Sequence, residues 1–416
     1  MLGALVNGVK GGVWFSLMDK VYKRSHLMAA FAKVKANQGS AGVDHVSIAM
    51  FEKRLTGEID KLHEALRTGS YRPQAIRRAF IEKPGSKEKR PLGIPTVRDR
   101  VVQTALKNVL EPIFEVGFAE YSYGFRPGRG CKDGLRRVER LLKQGNLWVV
   151  DADIKGYFDT IPHKSLMVRV RGKIADSKAL NLIESYLNQE IKEDQQSWVP
   201  KQGIPQGSVI SPLLANIYLD PLDQWMAEHQ LEMVRYADDQ VILCRSQKEA
   251  DEALAKLRWW MSKAGLKLHP EKTVVVDMTQ PGAHFEFLGY QFQTSEKRYP
   301  KIERWPRGKS KKKLRESIKS YTKRCNGWSL ENIIATLNPI LKGWFEYYKH
   351  CNGFTFIDLD GWVRMRLRSI LRKREKKKGR GRGSDHQKWP NVYFRNLGLF
   401  SMKTEALRLK SQSPRG

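Results

Sequence analysis

The sequence predicts a mixed α/β (α+β) protein, with short strands set between helices and a helical tail. Three observations carry this. First, β-prone apolar runs (Leu147–Val150, Met233-Val234, Val241–Cys244, Val274–Val276) are spaced through residues 93–292 with helical-period segments between them. Second, residues 18–70 repeat apolar positions at helical spacing. Third, from Lys301 onward the chain reads as helical and strongly basic.

Composition bounds the function. The chain has 416 residues, enough for two or three domains, and 41% hydrophobic residues with 11 Trp, enough for a core. Its formal charge is +31. Solubility needs far less, so the excess points to a polyanion, most simply nucleic acid, with an anionic membrane as the competing partner. No run of about 18 apolar residues spans a bilayer. Residues 1–17 are Gly-rich with a central Lys and are not read as a signal peptide. The four Cys (131, 244, 325, 351) are scattered, without metal-ligand pairing or disulfide density, which suits a reducing cytoplasm. Residues 301–416 carry +21 and residues 1–300 carry +10, so a composition boundary is expected near residue 300.

In chain order, Leu27, Phe31 and Val34, then Phe51, Leu55, Ile59 and Leu62, mark a basic helical start broken by the turn-rich segment 37–44. Ala79-Phe80-Ile81 alternates as a strand, and the basic residues around it suggest a hairpin. Lys83 as a point charge and Arg90 as a bidentate donor could cover a triphosphate from there; a solvated basic loop explains them equally well. Tyr123–Gly130 is a Gly/Pro/Arg loop, read either as a phosphate contact or as a plain loop. The buried run 147–150 leads straight into Asp151-Ala152-Asp153. Asp153 at a strand end suits a metal site, although a helix N-cap is the simpler alternative.

Gly203–Ser208 precedes a helix in which Ser211 can cap, Pro212 can take the first position and Pro221 should interrupt. Its glycines let backbone approach a flat ligand such as a base pair. Next, Arg235–Gln240 places two adjacent carboxylates, Asp238 and Asp239, between two apolar runs. Turn chemistry explains one Asp. Two carboxylates about 4 Å apart repel by about 4 kcal/mol at an effective dielectric near 20. A divalent cation removes that cost, and hard oxygen ligands suit Mg²⁺, although for the pair taken alone an ordinary Asp-Asp turn is the simpler alternative. Phe285–Tyr290 reads as strand. The tail holds five Trp (305, 328, 344, 362, 389), expected to be mostly core, among basic residues suited to folded RNA.

Taken in order, Asp153…Phe158, Gly203-Ile-Pro-Gln-Gly207, Tyr236-Ala-Asp-Asp239, Lys272 and Phe287-Leu-Gly289 resemble the ordered motifs of a reverse transcriptase. Residues 37–44, Arg90–Asp99 and Tyr123–Gly128 narrow the resemblance to bacterial group II intron-encoded proteins. Gly343–Tyr348, Trp362 and Trp389–Phe394 look like that family's thumb, or maturase, region. Paired Cys and His of a zinc nuclease domain are not seen, so a form without that domain is expected. Ser208 stands where many relatives carry Gly.

The resemblance implies a right-hand polymerase: an N-terminal extension and fingers over 1–92, a fingers/palm core with an antiparallel sheet over 93–300, and a helical thumb/maturase with a basic tail over 301–416. It implies that Asp153, Asp238 and Asp239 form the catalytic centre and hold two Mg²⁺. Lys83, Arg90, Phe158, Gln206, Gly207 and Lys272 are implied to bind dNTP, with Phe158 rejecting a 2′-hydroxyl and Lys272 protonating pyrophosphate. Implied partners are an RNA template, intron RNA, a DNA primer or target and dNTPs, in a bacterial cytoplasm with no membrane. Alternatives are a host-adapted reverse transcriptase in defence or repair, a splicing cofactor without polymerase activity, and an RNA-dependent RNA polymerase, which Phe158 disfavours.

Overall fold

Strand pairing organises the N-terminal part of the chain. The computed structural model describes residues 12–82, 89–296, 301–379 and 383–412. The chain divides into two units, Met1–Asp277 and Met278–Gly416.

In the first unit the strands are β1 (Ile76–Glu82), β2 (Lys89–Ile94), β3 (Trp148–Asp153), β4 (Ile191–Glu193), β5 (Gln196–Trp198), β6 (Glu232–Tyr236), β7 (Asp239–Cys244) and β8 (Val274–Asp277). They form two four-stranded sheets, ordered β6-β7-β3-β8 and β2-β1-β4-β5. The first is antiparallel throughout. In β7 every residue from Gln240 to Cys244 is buried. A strand enclosed on both faces shows a continuous apolar run instead of alternation, which is why 241–244 reads as it does. Core residues Val150, Ile242, Leu213, Ile217, Leu257 and Met261 belong to one cluster joining this sheet to the helices Ser211–Glu228 and Gln247–Lys263. The helical start is found: Arg24–Ala36 buries Leu27, Phe31 and Val34, and Leu55–Thr68 buries Ile59, Leu62 and Leu66.

The helix Ser211–Glu228 corrects two expectations. Pro221 does not interrupt it. A mid-helix proline costs about 3 kcal/mol, but Leu222 and Met226 beyond it are fully buried, and that packing holds the last turns in place. Nor is Ser211 the cap: Ile210 occupies that position, and Ser211 Oγ donates to the Pro205 carbonyl (2.8 Å).

The second unit holds a three-stranded antiparallel sheet of β9 (His284–Phe287), β10 (Tyr290–Thr294) and β11 (Ile302–Pro306), ordered β11-β10-β9. Strand β11 lies where helix was expected. Its residues pair along all of β10, and Pro306 closes the strand at a sheet edge, where a missing N–H is tolerated. Helices Gly308–Tyr321, Leu330–Tyr348 and Phe354–Arg374 follow. Tyr347 Oη donates to the Leu288 carbonyl (2.7 Å), seating the β9–β10 turn on the second of these. Of the five tail Trp only Trp389 is buried; Trp305, Trp344 and Trp362 are half-buried and Trp328 is exposed, so most are not core. Among the described residues no helix is long and apolar enough to cross a membrane.

Candidate active site

Strands β6 and β7 pair Tyr236 with Asp239, leaving Ala237-Asp238 as a two-residue turn. Such turns favour positive φ, and Ala237 adopts φ +60°. Asp153 ends β3, and its Cα partner across the ladder is Asp239 of β7. Register partners share a face, so carboxylates 86 positions apart in sequence project to the same side of the sheet. Asp238 stands beside them at the hairpin tip. Burial, and next the charge of Asp153 against the pull of its own backbone N–H, Arg90 and Arg235, leave the Asp238 carboxyl above the usual range. Asp153 caps no helix, because the N-cap of the following turn, Tyr157–Thr160, is Gly156.

Lys272 reaches the same corner. Lys272 Nζ donates to Asp153 Oδ2 at 2.8 Å. The loop carrying it is held by the His269 N–H on the Asp153 carbonyl (2.7 Å) and the Lys155 N–H on the Lys267 carbonyl (2.8 Å). The lysine side chain is 61% exposed, so the ion pair adds little stability and is free to open.

The other implied substrate contacts gather on a neighbouring wall. The Gly93 N–H of β2 donates to the Gln206 carbonyl (2.6 Å), and the Ile204 N–H donates to the Phe158 carbonyl (2.7 Å). The loop 203–207 is thus clamped between β2 and the Tyr157–Thr160 turn. Gly207 has φ +105°, and a Cβ there would sit 2.4 Å from the Gly93 carbonyl oxygen. Half-buried Phe158 packs edge-on to Tyr157. Arg90 is exposed on β2. Lys83 lies outside the described residues. A cavity of about 220 Å³ beside this loop is lined by Arg78, Gly93, Asp159, Trp198 and Gln206.

The sequence places Arg78 in the basic hairpin but does not reveal Trp198, over whose ring its guanidinium lies at 5.1 Å. Nor does it reveal the roles of Asp223 and Asn216, which bond Arg235 behind the Asp238 turn. A signal existed in the second case: an Asp and an Asn on an otherwise apolar helix face need buried partners.

Metal chemistry can be tested against this donor set. Among the described residues no group of three or more His, Cys, Asp or Glu side chains could hold a metal ion. Mg²⁺ is ordinarily held by one or two carboxylates, with water and substrate phosphate completing its octahedron. A strand-end and a hairpin-tip carboxylate fit an ion of that kind and do not fit an all-protein cage.

Two stretches of the chain match known families. Residues 81–292 match the family described as reverse transcriptase (RNA-dependent DNA polymerase), and residues 311–389 match the group II intron, maturase-specific domain. The group II intron-encoded protein LtrA of Lactococcus lactis subsp. cremoris is 40% identical over 184 residues, 44% of this chain and 31% of LtrA. The protein YkfC of Escherichia coli (strain K12) is 33% identical over 297 residues, covering 62% of this chain and 77% of YkfC. An uncharacterized 91 kDa protein in the cob intron of Schizosaccharomyces pombe is 30% identical over 325 residues, 62% of this chain and 39% of that protein. The match to LtrA thus spans less than a third of that relative's length.

Proposed function

Since the chain belongs to the reverse transcriptase family, among the group II intron-encoded reverse transcriptase/maturases, we propose that it extends a DNA primer with dNTPs on an RNA template and also binds intron RNA to assist splicing. The observation that carries this reading is the register of Asp153 with Asp239, the first residue after the hairpin tip at Asp238.

In this reading Asp153 and Asp238 would hold two Mg²⁺, with Asp239 supporting the site. When bound, such a pair activates the primer 3′-hydroxyl and stabilises the leaving pyrophosphate. The side chains supply alignment and charge. Arg90, together with Lys83, neutralises the triphosphate. Gln206 and Gly207 lie against the nascent base pair, where the clamped loop offers backbone without side-chain bulk. Phe158 lies under the sugar and collides with a 2′-hydroxyl, which disfavours rNTP. Lys272, whose exposed ammonium reaches Asp153 Oδ2 (2.8 Å), protonates pyrophosphate. Residues 1–92 serve as N-terminal extension and fingers, 93–300 as fingers and palm, and 301–416, at +21, as the thumb and maturase surface for RNA.

Primer extension on an RNA template tests it, with dNTPs or rNTPs supplied in Mg²⁺. Extension with dNTPs and not rNTPs is expected. No extension, with tight RNA binding retained, would leave a splicing cofactor instead; extension with rNTPs would make it an RNA polymerase.

A further inference from the structure

Behind the Ala237-Asp238 turn lies a buried guanidinium. The Arg235 residue is 1% exposed. Its Nε donates to Asp223 Oδ1 (2.7 Å), and Nη2 donates to Asp223 Oδ2 and to Ser122 Oγ (2.7 Å). Nη1 donates to Asn216 Oδ1 (3.2 Å) and to the Ala237 carbonyl (2.8 Å). All five N–H donors of the guanidinium are therefore used, and they join a helix, a loop and the turn itself.

The loop closes the other side. Ser122 bridges to Arg235, with the Arg235 N–H on the Tyr121 carbonyl (3.1 Å) and the Tyr123 N–H on the Arg235 carbonyl (2.9 Å). Gly124 presses on the turn so closely that a Cβ there would lie 2.3 Å from the Ala237 nitrogen. Asn216 Nδ2 fixes the Gly124 carbonyl (2.8 Å). Ala237 is thus held at its nitrogen by packing and at its oxygen by a charged donor, in a left-handed conformation that a non-glycine residue adopts at a cost. Stability alone does not account for the ion pair, because desolvation offsets much of the attraction between buried charges. What the network does fix is the position of one residue, Ala237, and the next residue is Asp238.

We propose that Arg235, clamped by Asp223 and Asn216, is the positioning residue that sets where Asp238 meets Asp153. The kinetic part of its test rests on the polymerase reading above; the geometry does not. A lysine keeps the charge but cannot satisfy five directions, so the turn relaxes, and a shift of about 1 Å at a reacting centre can cost about 10²-fold in rate.

The experiment compares wild type, Arg235→Lys and Gly124→Ala. It measures single-turnover extension of oligo(dT) on poly(rA), the dNTP concentration dependence, primer–template affinity and the melting transition. Arg235→Lys should melt cooperatively and lose about 10²-fold in the maximal rate, with dNTP and primer–template affinities within about twofold of wild type. A rate within threefold of wild type in the folded variant overturns the proposal. Should Arg235→Lys fail to fold, Gly124→Ala displaces the same residue, Ala237, from its nitrogen side without altering any charge. It must then show the same rate-only loss, and a wild-type rate there overturns the proposal equally. Should wild type itself not extend primers, the polymerase reading fails separately. Positioning is then read from Mn²⁺ titrations followed by electron paramagnetic resonance: binding weakened at least tenfold in the variants supports it, and equal binding overturns it.

Discussion

Replacing Gly207 with alanine joins the site to the backbone that builds it. At φ +105° an L-residue is strained by about 1–3 kcal/mol. The new methyl would also meet Leu92 Cδ1 at 2.8 Å and the Gly93 carbonyl oxygen at 2.4 Å. The leucine tip can swing away. The Gly93 residue cannot move independently, because its N–H is bonded to the Gln206 carbonyl on the same loop (2.6 Å) and it is paired with Arg78 of β1. Overpacking of this kind costs about 1–3 kcal/mol, so Gly207→Ala should lose about 2–6 kcal/mol in all. Gly128→Ala provides the comparison: φ is +70° but nothing lies within 4 Å, so only the conformational part applies. Equilibrium urea unfolding measures both. Where Gly207→Ala remains folded, the dNTP concentration for half-maximal extension should rise while RNA affinity holds. A loss below about 0.5 kcal/mol, or one no larger than that of Gly128→Ala, refutes the claim that close approach and not φ alone demands glycine.

Three further outcomes are expected. Phe158→Ala should relax the preference for dNTP over rNTP by about 10–200-fold, the discrimination that a misfit of about one methylene carries; an unchanged preference in a competition assay removes Phe158 from sugar selection. RNA affinity should fall by about 10³-fold or more between 50 and 200 mM salt if six or more phosphates are neutralised, and a flat titration excludes an electrostatic grip. Asp176 accepts the N–H groups of Leu17 (2.7 Å), Met18 (3.0 Å) and Ala179 (3.0 Å). Burial opposes its ionisation, but these donors outweigh it and its carboxyl is held below the usual range. A lowered folded-state pKa contributes stability that is present above the unfolded value and is lost as pH falls through the folded one. Asp176→Asn should therefore cost about 1–3 kcal/mol at pH 7, with the gap to wild type closing below about pH 4; a gap independent of pH contradicts the assignment.

The strands around Asp153 and Asp238 were legible because enclosed strands must be apolar along their length, and β7 is buried from Gln240 to Cys244. The helical start was legible for the complementary reason, a single buried stripe. Strand β11 was not, since Ile302-Glu303-Arg304-Trp305-Pro306 becomes a strand only through pairing with β10. Pro221 misled because local propensity was overridden by burial of Leu222 and Met226. Of the candidate site, the carboxylates and the glycine loop were readable from residue type and order. The Arg235 network was not, because its partners lie 12, 19 and 113 positions away. Nothing local distinguishes a buried arginine from one on the basic surface.

The central claim is that Asp238 shares its task with Asp153 at a growing primer end. Single-turnover primer extension by Asp238→Ala, with RNA affinity and the melting transition measured on the same preparation, tests it most directly. Extension should disappear while RNA binding and folding stay as in wild type; undiminished extension contradicts the account.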